Sequence, residues 1–147
     1  MKFKFKPIGI IHSPFKTKED IDNKKYADPR GFDSVQGELE IFKPYEAGLK
    51  DTEGFSHLII IFAFHKSRGY KLEAKPFLDD TLRGIFSTRS PNRPNPLGMT
   101  VVKVVERKGN ILKVSGVDML EGTPILDIKP YNSRDQKSPI KLGWLED

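Results

Sequence analysis

Seven residues in the middle of the chain, Leu58 to Phe64, are apolar without a break and read Leu-Ile-Ile-Ile-Phe-Ala-Phe. β-Branched and aromatic side chains suit a pleated, buried strand, and the run is too short for a typical helix. It therefore reads as a strand covered on both faces at the centre of a sheet. The flanking segments carry weaker versions of the same signal. Phe3, Phe5 and then Ile8 to Ile11 predict a first strand ended by Pro14, and Gly37 to Phe42 alternates Glu38, Leu39, Glu40, Ile41 as a half-buried strand does. Gly84 to Thr88 predicts a short strand and Met99 to Glu106 a longer one. Ile111 to Val117 is its hairpin partner across Gly109-Asn110, and Ile125 to Lys129 is a last strand before Pro130. About seven short strands with no long amphipathic helix describe a mainly β protein, a single small barrel-like folded sheet with long irregular loops. Those loops are Lys16 to Val35 and Lys66 to Arg83, both beyond the usual connection length. Trp144 reads as an anchor of the C-terminal segment on the barrel.

One loop is exceptional. Ser87 to Gly98 packs three prolines and two arginines into twelve residues between apolar segments. Each proline fixes φ near about −65°, removes a backbone donor and biases the residue before it away from the helical region. The result is a stiff, extended, cationic surface on which Arg89, Arg93, Asn92 and Asn95 offer planar donors to a carboxylate, a phosphate or a nucleobase edge. The same residues also fit a proline-rich turn with solvated arginines.

Lys and Arg outnumber Asp and Glu by 25 to 20, which favours an anionic partner without naming one. The lysine-rich stretch Lys16 to Lys25 fits either a solvated loop or a contact with RNA. The chain has no cysteine, which excludes disulfides, thiolate metal sites and a cysteine nucleophile. His12, His57 and His65 stand far apart and lack nearby ligand partners, so no metal is expected. His57 reads as structural. No run reaches membrane-spanning length, and the alternating Met1-Lys2-Phe3-Lys4-Phe5-Lys6 contains no signal-peptide core. A cytoplasmic protein with no membrane partner is expected. Neither a P-loop, a G-x-G-x-x-G fingerprint nor a G-x-S-x-G elbow is present, which excludes the common nucleotide-binding and hydrolase α/β folds.

Four blocks in order carry a resemblance. Thr88 to Gly98 resembles the signature Thr-Arg-Ser-Pro-x-Arg-Pro-Asn-Pro-Ile-Gly of the TsaA-like (TrmO-type) family, with Leu97 in place of isoleucine. Ile8-Gly9-Ile10-Ile11-His12-Ser13-Pro14-Phe15, Glu53-Gly54-Phe55-Ser56-His57-Leu58 and Val117 to Pro124 followed by Ile125 to Tyr131 resemble the family's other blocks. Glu121 stands where many relatives have aspartate, which lengthens one acid. The resemblance implies a β-barrel that binds S-adenosyl-L-methionine and methylates N6-threonylcarbamoyladenosine beside the tRNA anticodon, a methyltransferase without a Rossmann fold. It implies cofactor contacts at Pro29, Arg30, His65, Lys66, Arg89, Met99, Asp118, Met119, Leu120 and Glu121, and substrate contacts at Arg93 and Asn95. His65, Lys66 and Asp118 are the candidates for a catalytic base. Without the resemblance, Asp118 to Glu121 is a plain loop between strands, and His65-Lys66 is the polar end of a core strand.

The chain ends soon after Tyr131, where bacterial tRNA enzymes of this kind continue into a further C-terminal region. A single domain over 1–147 with no C-terminal extension is expected. Pairing of two copies near the cofactor site is then expected to complete the tRNA contact. Two other readings stay open. One is a methyltransferase with the same cofactor and a different substrate; the other is a non-catalytic, basic β-barrel that binds single-stranded RNA by arginine and aromatic stacking.

Overall fold

The computed structural model describes residues 1–22, 29–76 and 79–146. Among the described residues eight strands form: β1 (Gly9–His12), β2 (Gln36–Ile41), β3 (His57–Ala63), β4 (Glu73–Ala74), β5 (Arg83–Gly84), β6 (Leu97–Lys108), β7 (Ile111–Ser115) and β8 (Thr123–Pro130). Six of them close into an antiparallel barrel in the order β1-β2-β7-β6-β3-β8, with β8 pairing back onto β1. β4 and β5 form a separate two-stranded ribbon. One four-residue helix, α1 (Lys18–Ile21), and several 3₁₀ turns lie in the described parts of the connections.

Alternation builds the core. Ile11, Leu39, Ile41, Leu58, Ile60, Phe62, Val102, Leu112, Val114 and Ile125 point inward, joined by Leu49, Val117 and Met119 from the connections. A six-stranded barrel is narrow enough for such side chains to fill it completely. The β6–β7 hairpin turns at Gly109, where φ is +59°. Asn110 follows at ordinary φ and donates its side-chain amide to the Ile41 carbonyl at 2.8 Å, tying the turn to β2.

Three expectations need correction. Phe3 and Phe5 lie outside the sheet and are each 74% exposed, because the ladder begins only at Ile8, after Pro7, which has no N–H to donate. Gly84 to Thr88 contributes only its first residue to a strand; Ile85–Ser87 winds into a 3₁₀ turn whose hydrogen bonds Thr88 closes. Leu58 to Phe64 is the sheet segment expected, flanked by β6 and β8, but only alternate residues are fully buried. Ile59 and Ile61 lie half-buried on the outer surface, since a closed barrel buries one face of each strand. Trp144 docks on the first residue of the proline loop, donating Nε1–H to the Ser87 carbonyl at 2.9 Å, with the Arg83 guanidinium 5.3 Å from its ring.

Gly98 shows how tightly the proline loop joins the barrel. A Cβ there would fall on the Phe62 ring and lie 2.9 Å from Phe64 Cζ, and those two rings already pack edge to face at 5.2 Å. Gly98→Ala should therefore destabilise the fold by about 1–3 kcal/mol through overpacking, read as a lower midpoint in urea unfolding. An unchanged midpoint would mean that the rings swing clear at no cost.

Candidate functional site at one rim of the barrel

The antiparallel ring brings the ends of β1, β3 and β7 and the starts of β2, β6 and β8 to one rim. The proline loop is built there as a braced unit. Arg93 turns one nitrogen, Nη1, onto the carbonyls of Thr88 at 2.8 Å and Ser90 at 3.2 Å. Ser67 Oγ holds Pro91 and Asn92, and the Phe64 amide holds the Pro96 carbonyl at 2.8 Å. Arg93, expected to meet substrate, thus has part of its guanidinium committed to the loop itself. Asn95 stays exposed, while its carbonyl takes the Leu97 amide. Arg89 is exposed and has no hydrogen bond or ion pair among the described residues.

The turn Asp118 to Glu121 crosses the same rim. Thr100 Oγ1, near the start of β6, donates to Asp118 Oδ1 at 2.7 Å. Desolvation pushes the Asp118 carboxyl above the ordinary carboxylate range, although the Thr100 hydroxyl, its own backbone amide and the Arg89 charge pull the other way. Arg89 and Asp118 are therefore close enough to feel each other across the site. Met99 is 45% exposed beside Thr100, and Leu120 is half-buried. Met119, expected among the cofactor contacts, has a side chain that is 3% exposed and packs in the core.

His65 and Lys66 follow β3 after Phe64, both exposed. Desolvation, the Lys66 charge and an opposing bond to the Ala63 backbone leave the His65 imidazole below its ordinary value. The Pro29–Phe32 turn that carries Arg30 reaches the site through Phe32, which packs edge to face on Phe15 at 5.8 Å. The Phe15 carbonyl in turn takes the Glu121 amide at 2.7 Å. Asn23, Lys24 and Lys25, the end of the lysine-rich stretch, lie outside the described residues. His57 sits at the opposite rim, bonded to Ser56 and packed against Tyr131.

Sequence reasoning missed His12, Glu40 and Thr100. His12 donates through Nε2 to Glu40 Oε1 at 2.8 Å and through Nδ1 to Glu121 Oε2 at 2.9 Å. No local spacing signals a bond across more than a hundred positions; only the barrel register, with His12 opposite Glu38, brings these groups to one face.

The family model described as the tRNA-methyltransferase O N-terminal domain matches residues 10–136. The chain belongs to the TrmO family. It is 46% identical over 143 residues to a probable S-adenosyl-L-methionine-binding protein of Pyrococcus abyssi, covering 97% of this chain and 76% of that protein. Against the tRNA (adenine(37)-N6)-methyltransferase of Escherichia coli it is 38% identical over 142 residues, covering 88% of this chain and 57% of that enzyme. The crystal structure of TrmO from Pseudomonas aeruginosa superposes with a TM-score of 0.79 at 32% identity, over 98% of this chain and 63% of that one. This TrmO-type chain therefore spans little more than half the length of the bacterial enzyme. Among its described residues no helix is long and apolar enough to cross a membrane, and no group of three or more acidic or histidine side chains could hold a metal ion. A hollow of about 590 Å³ opens at the opposite mouth, lined by Ile41, Tyr45, Leu49, Phe55 and Ile128, away from the candidate residues.

The two loop arginines should separate cleanly. Arg93→Ala removes bonds to two backbone carbonyls and should cost about 1 kcal/mol of stability, whereas Arg89→Ala should stay within about 0.5 kcal/mol of the parent in the same urea titration. Asp118 yields a pH prediction. Its folded pKa lies above the unfolded one, so ionised Asp118 costs stability at neutral pH, and the cost fades as pH falls through the raised value towards the ordinary one. Asp118→Asn should melt higher than the parent at pH 7, with the gap closing on acidification; a lower melt would show that the charge is compensated.

Proposed function

We propose that this chain is an S-adenosyl-L-methionine-dependent tRNA methyltransferase acting on N6-threonylcarbamoyladenosine beside the anticodon, in the cytoplasm where tRNA is modified. The observation that carries this reading is the pairing, at one rim, of an unengaged guanidinium at Arg89 with a desolvated carboxylate at Asp118. The pairing occurs in a family whose curated members are named for binding S-adenosyl-L-methionine and for methylating tRNA. The donor set fits the cofactor. Arg89 would hold the methionine carboxylate and Asp118 its ammonium, while Met99 and Leu120 would wall the adenine and the 118–121 backbone would offer groups to its edge. The family resemblance adds Arg30, His65, Lys66 and the backbone at Pro29 to the same proposed set.

When bound, the cofactor supplies a sulfonium methyl: the N–C bond forms as the C–S bond breaks, the electron pair stays on sulfur and the N6 proton leaves. The chain's own part is alignment, which can be worth roughly 7–11 kcal/mol when the reacting atoms are held in line. Of the three candidate bases, His65 has the most suitable state, a neutral imidazole at physiological pH. Asn95 and the exposed face of the proline loop suit the nucleotide.

The outer barrel face supports pairing of two copies. Ile59 opposite Val101, Ile61 opposite Met99 and Ala63 opposite Leu97 form a continuous apolar surface, on which Leu97, Met99 and Val101 are 42%, 45% and 38% exposed. Met99 belongs both to this surface and to the proposed cofactor wall, so a second copy seated there would help to close the site.

The deciding experiment is nucleoside mass spectrometry on threonylcarbamoylated tRNA, and on the same tRNA without that group, after incubation with the protein and S-adenosyl-L-methionine. One methyl gained on the modified adenosine alone is expected. Arg89→Ala should weaken cofactor binding at least about tenfold by calorimetry with the fold intact. Methylation of the unmodified tRNA would redirect the substrate assignment. RNA binding that is strongly salt-dependent and indifferent to the cofactor would replace the enzyme with a binding module.

A further inference from the structure

We propose that His12 and Glu40 are positioning residues for the cofactor site, clamping Glu121, and with it the 118–121 turn, onto the end of β1. The inference rests on the cofactor reading above and assigns Glu121 a different task from the one expected of it. Its carboxylate is engaged on both oxygens: Oε1 accepts the Ser13 amide at 2.8 Å and lies 3.8 Å from Lys16 Nζ, and Oε2 accepts from His12 at 2.9 Å. A carboxylate held in this way acts as a fastener. The backbone adds two more ties, from the Glu121 amide to the Phe15 carbonyl and from the Gly122 amide to the Ile11 carbonyl, at 2.7 and 2.8 Å. The far end of the turn is held by Thr100 on Asp118. Asp118 and Leu120 thus stand between two anchors, and their distance from Arg89 depends on both.

The clamp depends on charge. His12 bridges two acids, so both ring nitrogens must carry protons to donate. From β2 it faces Glu40 and, directly across the ladder, Glu38; from the turn it faces Glu121. The nearby cations are Lys16, beside Glu121, and Lys113, opposite Glu38 on β7, while β8 presents only Thr123 and Pro124. The Glu40 and Glu121 hydrogen bonds hold the His12 imidazolium above its ordinary value, against the effect of burial. Burial also opposes the charge on Glu121, but the Ser13 amide, His12 and Lys16 together keep its carboxyl below the usual range. A raised base contributes stability that is complete below its unfolded value, about 6.5, and is lost as pH rises through the folded one. A depressed acid contributes above its unfolded value and loses the contribution as pH falls through its folded one. The clamp is therefore closed between the carboxylate range and the raised histidine value, and opens on the alkaline side as His12 loses its proton.

The test measures cofactor affinity by calorimetry across pH 6 to 9, about the range of a raised imidazole, for the parent, His12→Gln, Glu40→Gln and Arg89→Ala. Alongside it run NMR titration of His12 and hydrogen exchange at the Ser13, Glu121 and Gly122 amides. The parent should lose about tenfold in affinity as His12 deprotonates, in step with faster exchange at those amides. Glu40→Gln should shift the His12 titration and the affinity profile to lower pH together. His12→Gln should bind weakly at every pH with a flat profile. A purely structural role for His12 would lower the melting temperature without linking affinity to its titration. If His12→Gln does not fold, the parent profile and Glu40→Gln still decide the matter. An affinity profile that ignores the displaced His12 titration overturns the clamp while leaving the cofactor site standing, provided Arg89→Ala still loses binding. Unchanged affinity in Arg89→Ala overturns the site and the positioning role together, and the amide exchange then reports separately on whether the contact exists.

Discussion

The antiparallel pairing of β1 with β8, from Gly9 opposite Ile125 to Ile11 opposite Thr123, turns a curved sheet into a ring, and the candidate site follows from that closure. In an open sheet the end of β1 and the turn before β8 would hang at separate edges. Closed, they share a rim with the end of β3 and the start of β6. Residues as distant in sequence as His12 and Glu121, or Arg89 and Asp118, then come within reach of each other without any element having to cross the molecule. The interior is filled with apolar side chains, so chemistry is confined to the rims and the outer wall.

Within that rim one short turn holds two acids in opposite states. Asp118 is desolvated and raised, whereas Glu121, with an amide, an imidazolium and a lysine around it, is depressed. Acids driven apart in this way divide labour: the comfortable one secures structure, and the uncomfortable one retains a demand that a cationic ligand can satisfy. The arginines of the proline loop split in the same manner, Arg93 facing the loop's own carbonyls and Arg89 facing outwards.

How much of this was legible in the sequence depended on the range of the interaction. Period-two alternation located β2 and β8 because burial on one face is written locally in each strand, whereas β3 was located by an unbroken apolar run that does not say one of its faces lies on the outer wall. The three prolines announced a rigid loop for the same reason, since each constrains its own φ. Phe3 and Phe5 misled because an alternating aromatic pattern does not say whether a partner strand extends far enough to receive it. Ile85 to Ser87 misled because an apolar pair beside a glycine fits a 3₁₀ turn as well as a strand. Of the candidate site, Arg89 and Asp118 were named through the family resemblance. The charge bridge through His12 and the tie from Thr100 were not, because both are products of barrel register, which a single sequence does not display.

The anchoring of Trp144 has one more consequence. It is the chain's only tryptophan, and its indole N–H is tied to the carbonyl immediately preceding Thr88, with a guanidinium beside the ring. Indole emission is sensitive to hydrogen bonding and to nearby charge. The molecule therefore contains a single indole, selectively excitable beside its tyrosines, attached to the root of its most constrained loop, an optical gauge of whatever that loop is holding.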